Sequence, residues 1–127
     1  VGYEGVGVAG LSAAQKKRLL DLVNAYVMPL PEGPRKARMD EVERHLADTH
    51  FCWIGGTADD STFYYRIQSP VVFIEFDQHA GVYLTNPTPQ KFHIHTIVRT
   101  PNGNDYGMDL LRMHYAQSHQ GRKPGGS

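Results

Sequence analysis

The first half of the chain carries apolar residues at helical spacing. Leucine, valine and tyrosine recur every three or four positions between residues 13 and 27, which predicts a helix with one buried face. Ser12 precedes this segment and Gln15 follows three residues later, as in a capping box. A second helix is predicted over 34–47, because Pro34 suits a first helical turn, and its many charged residues predict a solvated surface helix.

From His50 onward apolar and polar residues alternate, as in strands that bury one face. Strands are predicted over 50–56, 62–68, 71–77, 81–84 and 91–100. The short turn at Ser69-Pro70 predicts that the strands on either side of it form an antiparallel pair. A last helix is predicted over 106–118, with Asp105 at its start.

This order of elements predicts an α+β fold. An antiparallel sheet of about four to five strands is preceded by two helices and followed by one C-terminal helix. The 127 residues fit one domain. We expect that domain at 11–119, after an irregular glycine-rich arm at 1–10 and before a disordered tail at 120–127.

Alternation divides the side chains of the long strands between two faces. The apolar face, which we expect to receive the helices, collects Phe63, Tyr65, Ile67, Val72, Ile74, Phe76, Phe92, Ile94 and Val98. The opposite face collects Tyr64, Arg66, Gln68, Glu75, Asp77, His93, His95 and Arg99. Imidazole, guanidinium, carboxylate and phenol groups predominate on this second face, which we call the polar face. These groups bind metals, anions and protons, so the polar face is the candidate functional surface.

His93 and His95 are the strongest candidates for metal ligands on the polar face. Two imidazoles two positions apart on a strand project together, and with one further ligand they can hold zinc or copper. The further metal ligand is expected from Glu75, His79 or His114. Two histidines on a strand also suit metal-free acid–base chemistry or plain structural hydrogen bonding, so these alternatives stay open.

Catalysis and substrate binding are assigned to other residues of the same face. Glu75 or Asp77 is the expected catalytic base. The candidate substrate-binding residues are Tyr64, Arg66, Arg99 and Asp105. The two arginines suit an anion because guanidinium offers a planar fork to a carboxylate or phosphate, although pairing with Glu75 or Asp77 would only neutralise the face. Capping the last helix is the simpler role for Asp105.

Composition and charge narrow the classes of partner. Thirteen basic and thirteen acidic residues give a net charge of zero, so no electrostatic reason favours nucleic acid or an anionic membrane. No apolar run is long enough to cross a bilayer, and no signal-peptide pattern opens the chain. The lone cysteine, Cys52, excludes an internal disulfide, and its apolar strand predicts a buried, inert thiol. We expect a soluble protein that acts on a small molecule. The sequence does not predict the cellular compartment of the protein.

Five sequence blocks stand in one order: Phe51-Cys-Trp-Ile-Gly-Gly, Phe63-Tyr-Tyr-Arg-Ile, Ile74-Glu-Phe-Asp, the segment 93–107, and Asp109-Leu-Leu-Arg-Met-His-Tyr. With Tyr3-Glu-Gly and the first helix, they resemble the C-terminal part of the domain-of-unknown-function 3500 family over nearly the whole chain. Members of that family are usually longer, with a preceding segment that carries its own histidines. The resemblance therefore implies a fragment or a naturally short form, which could lack part of a site. It implies one module and no particular activity, and His79 stands where members often show two adjacent histidines.

Three functional hypotheses follow. The first is a metal-dependent enzyme of the hydrolase type, in which metal-activated water attacks a small polar substrate at the His-x-His pair; copper oxidation at the same ligands is a variant of it. The second is a non-catalytic binding module for an anionic or sugar-like ligand. The third is an assembly part, whose uncovered sheet face docks on a missing N-terminal segment or on a second copy as a homo-oligomer.

Overall fold

The computed structural model of the protein describes residues 2–81 and 86–101. In chain order its elements are β1 (Val6–Gly7), a 3₁₀ turn (Val8–Gly10), α1 (Ala13–Val27), α2 (Glu32–Arg44), a second 3₁₀ turn (Leu46–Asp48), β2 (His50–Gly55), β3 (Phe63–Gln68), β4 (Phe73–Gln78) and β5 (Ile94–Arg99). The α+β class is confirmed. The predicted strand at 81–84 lies almost wholly outside the described residues, and the C-terminal helix at 106–118 lies entirely outside them.

The five strands form one antiparallel sheet in the order β1-β2-β3-β4-β5. The predicted pairing across Ser69-Pro70 is confirmed, since Ile67 of β3 lies opposite Ile74 of β4. Ser69 closes this turn, because its Oγ accepts hydrogen bonds from the N–H groups of Val71 and Val72 at 3.1 and 3.0 Å.

The first strand of the sheet comes from the arm that was expected to be irregular. Val6 and Gly7 pair with Phe51 and His50 of β2. Val8 follows at once and is completely buried in the core. The arm is therefore held both by backbone pairing and by one apolar anchor.

α1 spans the predicted residues and begins with the predicted capping box. Gln15 N–H donates to Ser12 Oγ at 3.3 Å, and Ser12 N–H donates to Gln15 Oε1 at 2.9 Å. This exchange satisfies backbone donors that a first helical turn leaves without partners. Leu19, Val23 and Val27 form the buried stripe of the helix.

α2 ends earlier than predicted, at Arg44, and its charged face is not wholly solvated. Arg38 Nη2 donates to the Val71 carbonyl at 2.7 Å and to the Thr100 hydroxyl at 3.1 Å. Its Nη1 pairs with Glu41 at 2.6 Å, and its side chain is only 15% exposed. The prediction of a solvated surface helix is wrong at this residue, because Arg38 ties α2 to the end of the β4–β5 pair where β4 begins and β5 ends.

The core lies between the helices and the apolar face of β3 and β4. Ile67 and Ile74 are completely buried there. Tyr65 packs beside them, and its hydroxyl oxygen lies 2.5 Å from that of Tyr26 on α1. Burial, reinforced by this hydrogen bond, raises the pKa of the Tyr65 hydroxyl.

β5 departs from the predicted core. Phe92, Ile94 and Val98 were expected on the buried face, but they are 69%, 48% and 50% exposed. The buried cluster is built on the arm, both helices, β3, and residues 72 and 74 at the start of the β4 segment. Within the described residues, the prediction for these three side chains is wrong because the packed layer stops at β4 and does not reach the last strand.

Across both described ranges, no helix combines the length and the apolar character that crossing a membrane requires.

Candidate functional site

Four polar side chains meet where β4 ends and β5 begins. Asp77 lies opposite His95 in the strand register. Two positions further along, His79 N–H donates to the His93 carbonyl at 2.8 Å, which extends the ladder beyond both strands. Because residues two apart on a strand share a face, all four side chains project from the polar face. We call Asp77, His79, His93 and His95 the histidine cluster.

The three imidazoles of the cluster lie against one another. His93 Nε2 and His95 Nε2 are 2.9 Å apart, within hydrogen-bonding distance. The ring centroid of His79 lies 4.6 Å from that of His95 and 5.9 Å from that of His93. His79 Nε2 lies 2.8 Å from Asp77 Oδ2. The expected convergence of His93 and His95 is therefore present, and the structure adds His79 and Asp77 to the pair.

The loop after β4 holds the backbone of His79. Asn86 Nδ2 donates to the carbonyls of His79 and Thr88 at 3.0 and 3.1 Å. Gln90 N–H donates to the same His79 carbonyl at 3.3 Å, and His93 N–H donates to the Gln90 carbonyl at 3.1 Å. Sequence reasoning placed Asn86 in a loop, because an asparagine before proline is a turn signal, but it missed the burial of this side chain and its bonds to the backbone.

The donors of the cluster are of the right type for a transition metal, but their spacing is not that of bound ligands. Zinc binds imidazole nitrogen at about 2.0–2.1 Å, so two nitrogens on a tetrahedral zinc lie roughly 3.3 Å apart. The two Nε2 atoms of His93 and His95, at 2.9 Å, would have to separate slightly. Among the described residues, no group of three or more histidine, cysteine, aspartate or glutamate side chains is already arranged to hold a metal. Binding therefore requires side-chain rotation, in which His79 can keep its Nε2 contact with Asp77 and offer its other ring nitrogen to the metal.

Glu75 and Tyr64 lie on the polar face but one row away from the cluster. In the strand register, Glu75 of β4 lies opposite Ile97 of β5 rather than opposite a histidine. Burial first, and then the nearby Glu75 carboxylate, raises the pKa of the Tyr64 phenol to about 12. The phenol therefore stays protonated near neutral pH. Among the ion pairs of the described residues, the one between a strand carboxylate and a histidine is that of Asp77 with His79.

Arg66 was expected either to clamp an anion or to pair with Glu75 or Asp77, but the N-terminal arm covers it. Arg66 is 7% exposed, and its guanidinium pairs with Glu4 of the arm. The Tyr3 ring lies 5.1 Å from the His50 ring, so the arm passes over the polar face beside β2. No pattern around Glu4 predicts this contact, because the two partners are 62 positions apart.

Arg99 lines a cavity of about 490 Å³ at the other end of the polar face. Tyr3 and Phe73 contribute aromatic walls to it, and Gln68 and Ser69 contribute polar groups. A guanidinium beside aromatic walls suits an anionic or sugar-like ligand. The role of Arg99 in substrate binding stays a prediction, and the structure gives Arg66 a different environment from that of Arg99.

Two predicted site residues, Asp105 and His114, lie outside the described residues. Their roles as substrate-binding residue and metal ligand therefore stay predictions.

One family model matches the chain over residues 1–108, and its description is protein of unknown function (DUF3500). The matched range contains every strand of the sheet and the whole histidine cluster. No curated protein and no solved structure matches the chain.

Proposed function

The chain belongs to the DUF3500 family of proteins of unknown function, and from the geometry of its polar face we propose that the histidine cluster binds a divalent transition metal, zinc or copper. The activity we assign to this site is hydrolysis of a small polar substrate. One observation carries the proposal: three imidazoles lie with their ring centroids no more than 5.9 Å apart, beside the carboxylate of Asp77.

The chemistry of the imidazole pair supports metal binding. Of two neutral imidazole nitrogens in hydrogen-bonding contact, one carries a proton and the other accepts it through a lone pair. In the contact between His93 Nε2 and His95 Nε2, one lone pair is therefore directed at the N–H of the other ring, and a metal ion bound by both nitrogens would take the place of that shared proton. Neutral imidazole is a favoured ligand for zinc and copper. The His79 side chain is 48% exposed, which leaves the cluster open to an ion from solvent.

The remaining residues of the polar face have defined roles in this proposal. Asp77 orients the His79 ring through their 2.8 Å contact. A bound metal would supply Lewis-acid activation of water or of a polar bond in the substrate. Glu75, on the same face, is the residue we assign to accept a proton, because carboxylates commonly act as general bases. The protonated Tyr64 phenol can donate a hydrogen bond beside it.

Isothermal titration of the tag-free chain with Zn²⁺ and Cu²⁺ tests the proposal. We expect one metal per chain, and at least tenfold weaker binding when His93 and His95 are both replaced by alanine, because two ligands are lost. The fold should survive this change, since the pair lies on the exposed polar face. The matched control is His45→Gln, which removes an imidazole from the end of α2, outside the cluster.

Loss of metal binding in the control as well as in the double variant would point to nonspecific histidine binding and would refute the site. If metal binds as expected, the zinc-loaded chain should hydrolyse members of a panel of activated esters and phosphate esters. The double variant should be inactive against the same panel. Metal binding without hydrolysis of any panel member would restrict the function to metal binding.

A binding module for an anionic or sugar-like ligand is the second candidate, and the cavity beside Arg99 favours it. In that case Arg99→Gln should abolish ligand binding, while the His93→Ala/His95→Ala variant should leave it unchanged. A titration of both variants with small phosphorylated sugars separates the two candidates. The enzyme proposal requires the histidine variant to lose function, and the binding module does not.

A further inference from the structure

A second cavity lies on the opposite side of the sheet from the histidine cluster. Its volume is about 430 Å³, and it is a cleft open to solvent between α1 and the β1–β2 edge. The apolar side chains that line it are Val6, Leu11, Leu19, Leu22 and Phe51. Leu19 is buried, and Leu11, Leu22 and Phe51 are partly buried and pack against the core, so the floor of the cavity is continuous with the core.

Arg18 gives this apolar cavity a charge. It is on α1, one residue before Leu19, and it lines the cavity together with Gln15. The Gln15 amide is already engaged in the capping box. Lys17, the neighbouring cation on α1, pairs with Asp21 at 2.7 Å. In the part of the chain that the structure describes, the ion pairs leave Arg18 without a carboxylate partner.

We infer that this cavity binds an amphipathic carboxylate, with its apolar chain among the leucines and its carboxylate on Arg18. A guanidinium presents two parallel donors to a carboxylate and pairs with its negative charge. An alcohol has no charge with which the guanidinium could pair. At roughly 30 Å³ for each water-sized group, the cavity admits on the order of 14 non-hydrogen atoms. That size suits a fatty acid of medium chain length. The inference is independent of the histidine cluster.

The lining distinguishes this cavity from an ordinary surface depression, since five of its seven lining residues are apolar. Its volume lies within the range of about 300–1,000 Å³ that is typical of small-molecule sites. Such sites combine mostly apolar walls with a few polar groups that orient the ligand. Here the apolar walls come from three segments of the chain, and the orienting group is one guanidinium at the margin.

Calorimetric titration with octanoate and with 1-octanol tests the charge and the apolar part separately. We expect octanoate to bind about five- to tenfold more tightly than octanol, since an ion pair at a partly exposed site contributes modestly. Arg18→Gln should remove this preference and leave octanol binding unchanged. The control Arg35→Gln makes the same change of net charge on α2, away from the cavity, and should retain the preference.

Methyl NMR shifts locate the ligand. Octanoate should shift the methyl resonances of Leu11 and Leu22, which line the cavity, more than those of Val42 in the core on α2. Absence of octanoate binding overturns the inference, as does equal affinity for the acid and the alcohol. A loss of preference in both arginine variants would also overturn it, because net charge rather than Arg18 would then be responsible.

Discussion

Ile74 and Ile97 are the same residue type on adjacent strands, but their environments are opposite. Ile74 is completely buried against the helices, whereas Ile97 is 46% exposed on the polar face of β5. Ile74→Ala should lower the free energy of unfolding by about 2–5 kcal/mol, because it leaves a cavity in the core. Ile97→Ala should lower it by less than about 1 kcal/mol. Urea denaturation followed by Trp53 fluorescence measures both, and equal losses would contradict the assignment of the two faces.

The raised pKa of Tyr64 should make the free energy of unfolding depend on pH in the alkaline range. Its pKa is raised from 10.0 to about 12, so the folded state holds the phenolic proton more tightly than the unfolded state does. The resulting stabilisation is complete below the unfolded pKa of about 10 and is lost as the pH rises toward about 12. In Tyr64→Phe, the free energy of unfolding should therefore fall less steeply over that interval than in the unchanged chain.

Urea titrations at a series of pH values across this interval measure the difference in slope. Tyr3→Phe is the control, because Tyr3 is 49% exposed on the arm. If Tyr64→Phe and Tyr3→Phe give the same slope, the buried environment of Tyr64 is not responsible for the alkaline loss of stability.

Among the elements, β1 depends on one glycine. Gly5 has φ +91°, and a Cβ added there would lie 2.1 Å from the Phe51 carbonyl oxygen. Gly5→Ala should therefore detach the arm from β2 and cost about 1–3 kcal/mol of stability, since both the backbone angle and the contact are unfavourable. Gly7→Ala, two positions on, is the matched control, because its nearest atom is 3.9 Å away and its backbone is extended.

Hydrogen exchange of the Val8 amide reports this detachment directly, because that N–H donates to the Thr49 carbonyl at 2.8 Å only while the arm is in place. Exchange should accelerate in Gly5→Ala and stay slow in Gly7→Ala. Slow exchange in both variants would mean that the arm tolerates a side chain at position 5.

The elements that the sequence predicted well are those whose signals are local. The capping box joins Ser12 to Gln15, three positions apart, and α1 has the predicted bounds. The common face of His93 and His95 likewise follows from a spacing of two. β1 pairs Val6 with Phe51, and such a long-range contact leaves no periodic trace in either segment. The exposure of Ile94 was missed because composition records how apolar a strand is, not whether another layer covers it.

At the scale of the whole molecule, the main departure from a closed fold among the described residues is the exposed side of β5. In the described ranges, no strand lies beyond β5. Ile94, Ile97 and Val98 are all about half exposed, on both faces of this edge. The strand has no lysine, proline or bulge, which are the usual protections of an edge against pairing with another chain.

The register of the sheet shows which backbone groups remain available at that edge. His79 N–H donates to the His93 carbonyl, so the odd-numbered residues of β5 bond toward β4. The N–H and C=O groups of Ile94, Thr96 and Val98 therefore point outward. Antiparallel pairing of two copies about Thr96 would place Ile94 of each chain opposite Val98 of the other and would bury four apolar side chains on one face.

We predict that the chain self-associates through this edge, so that its mass in solution doubles as the protein concentration rises. Thr96→Pro should keep the protein monomeric, because proline removes an outward N–H and leaves the bonds between β4 and β5 intact. Thr96→Val retains the N–H and the strand propensity, and should still associate. Sedimentation velocity over a hundredfold concentration range measures all three chains. A monomeric unchanged chain, or equal association of both variants, would exclude β5 as the contact and leave its apolar residues as isolated surface side chains.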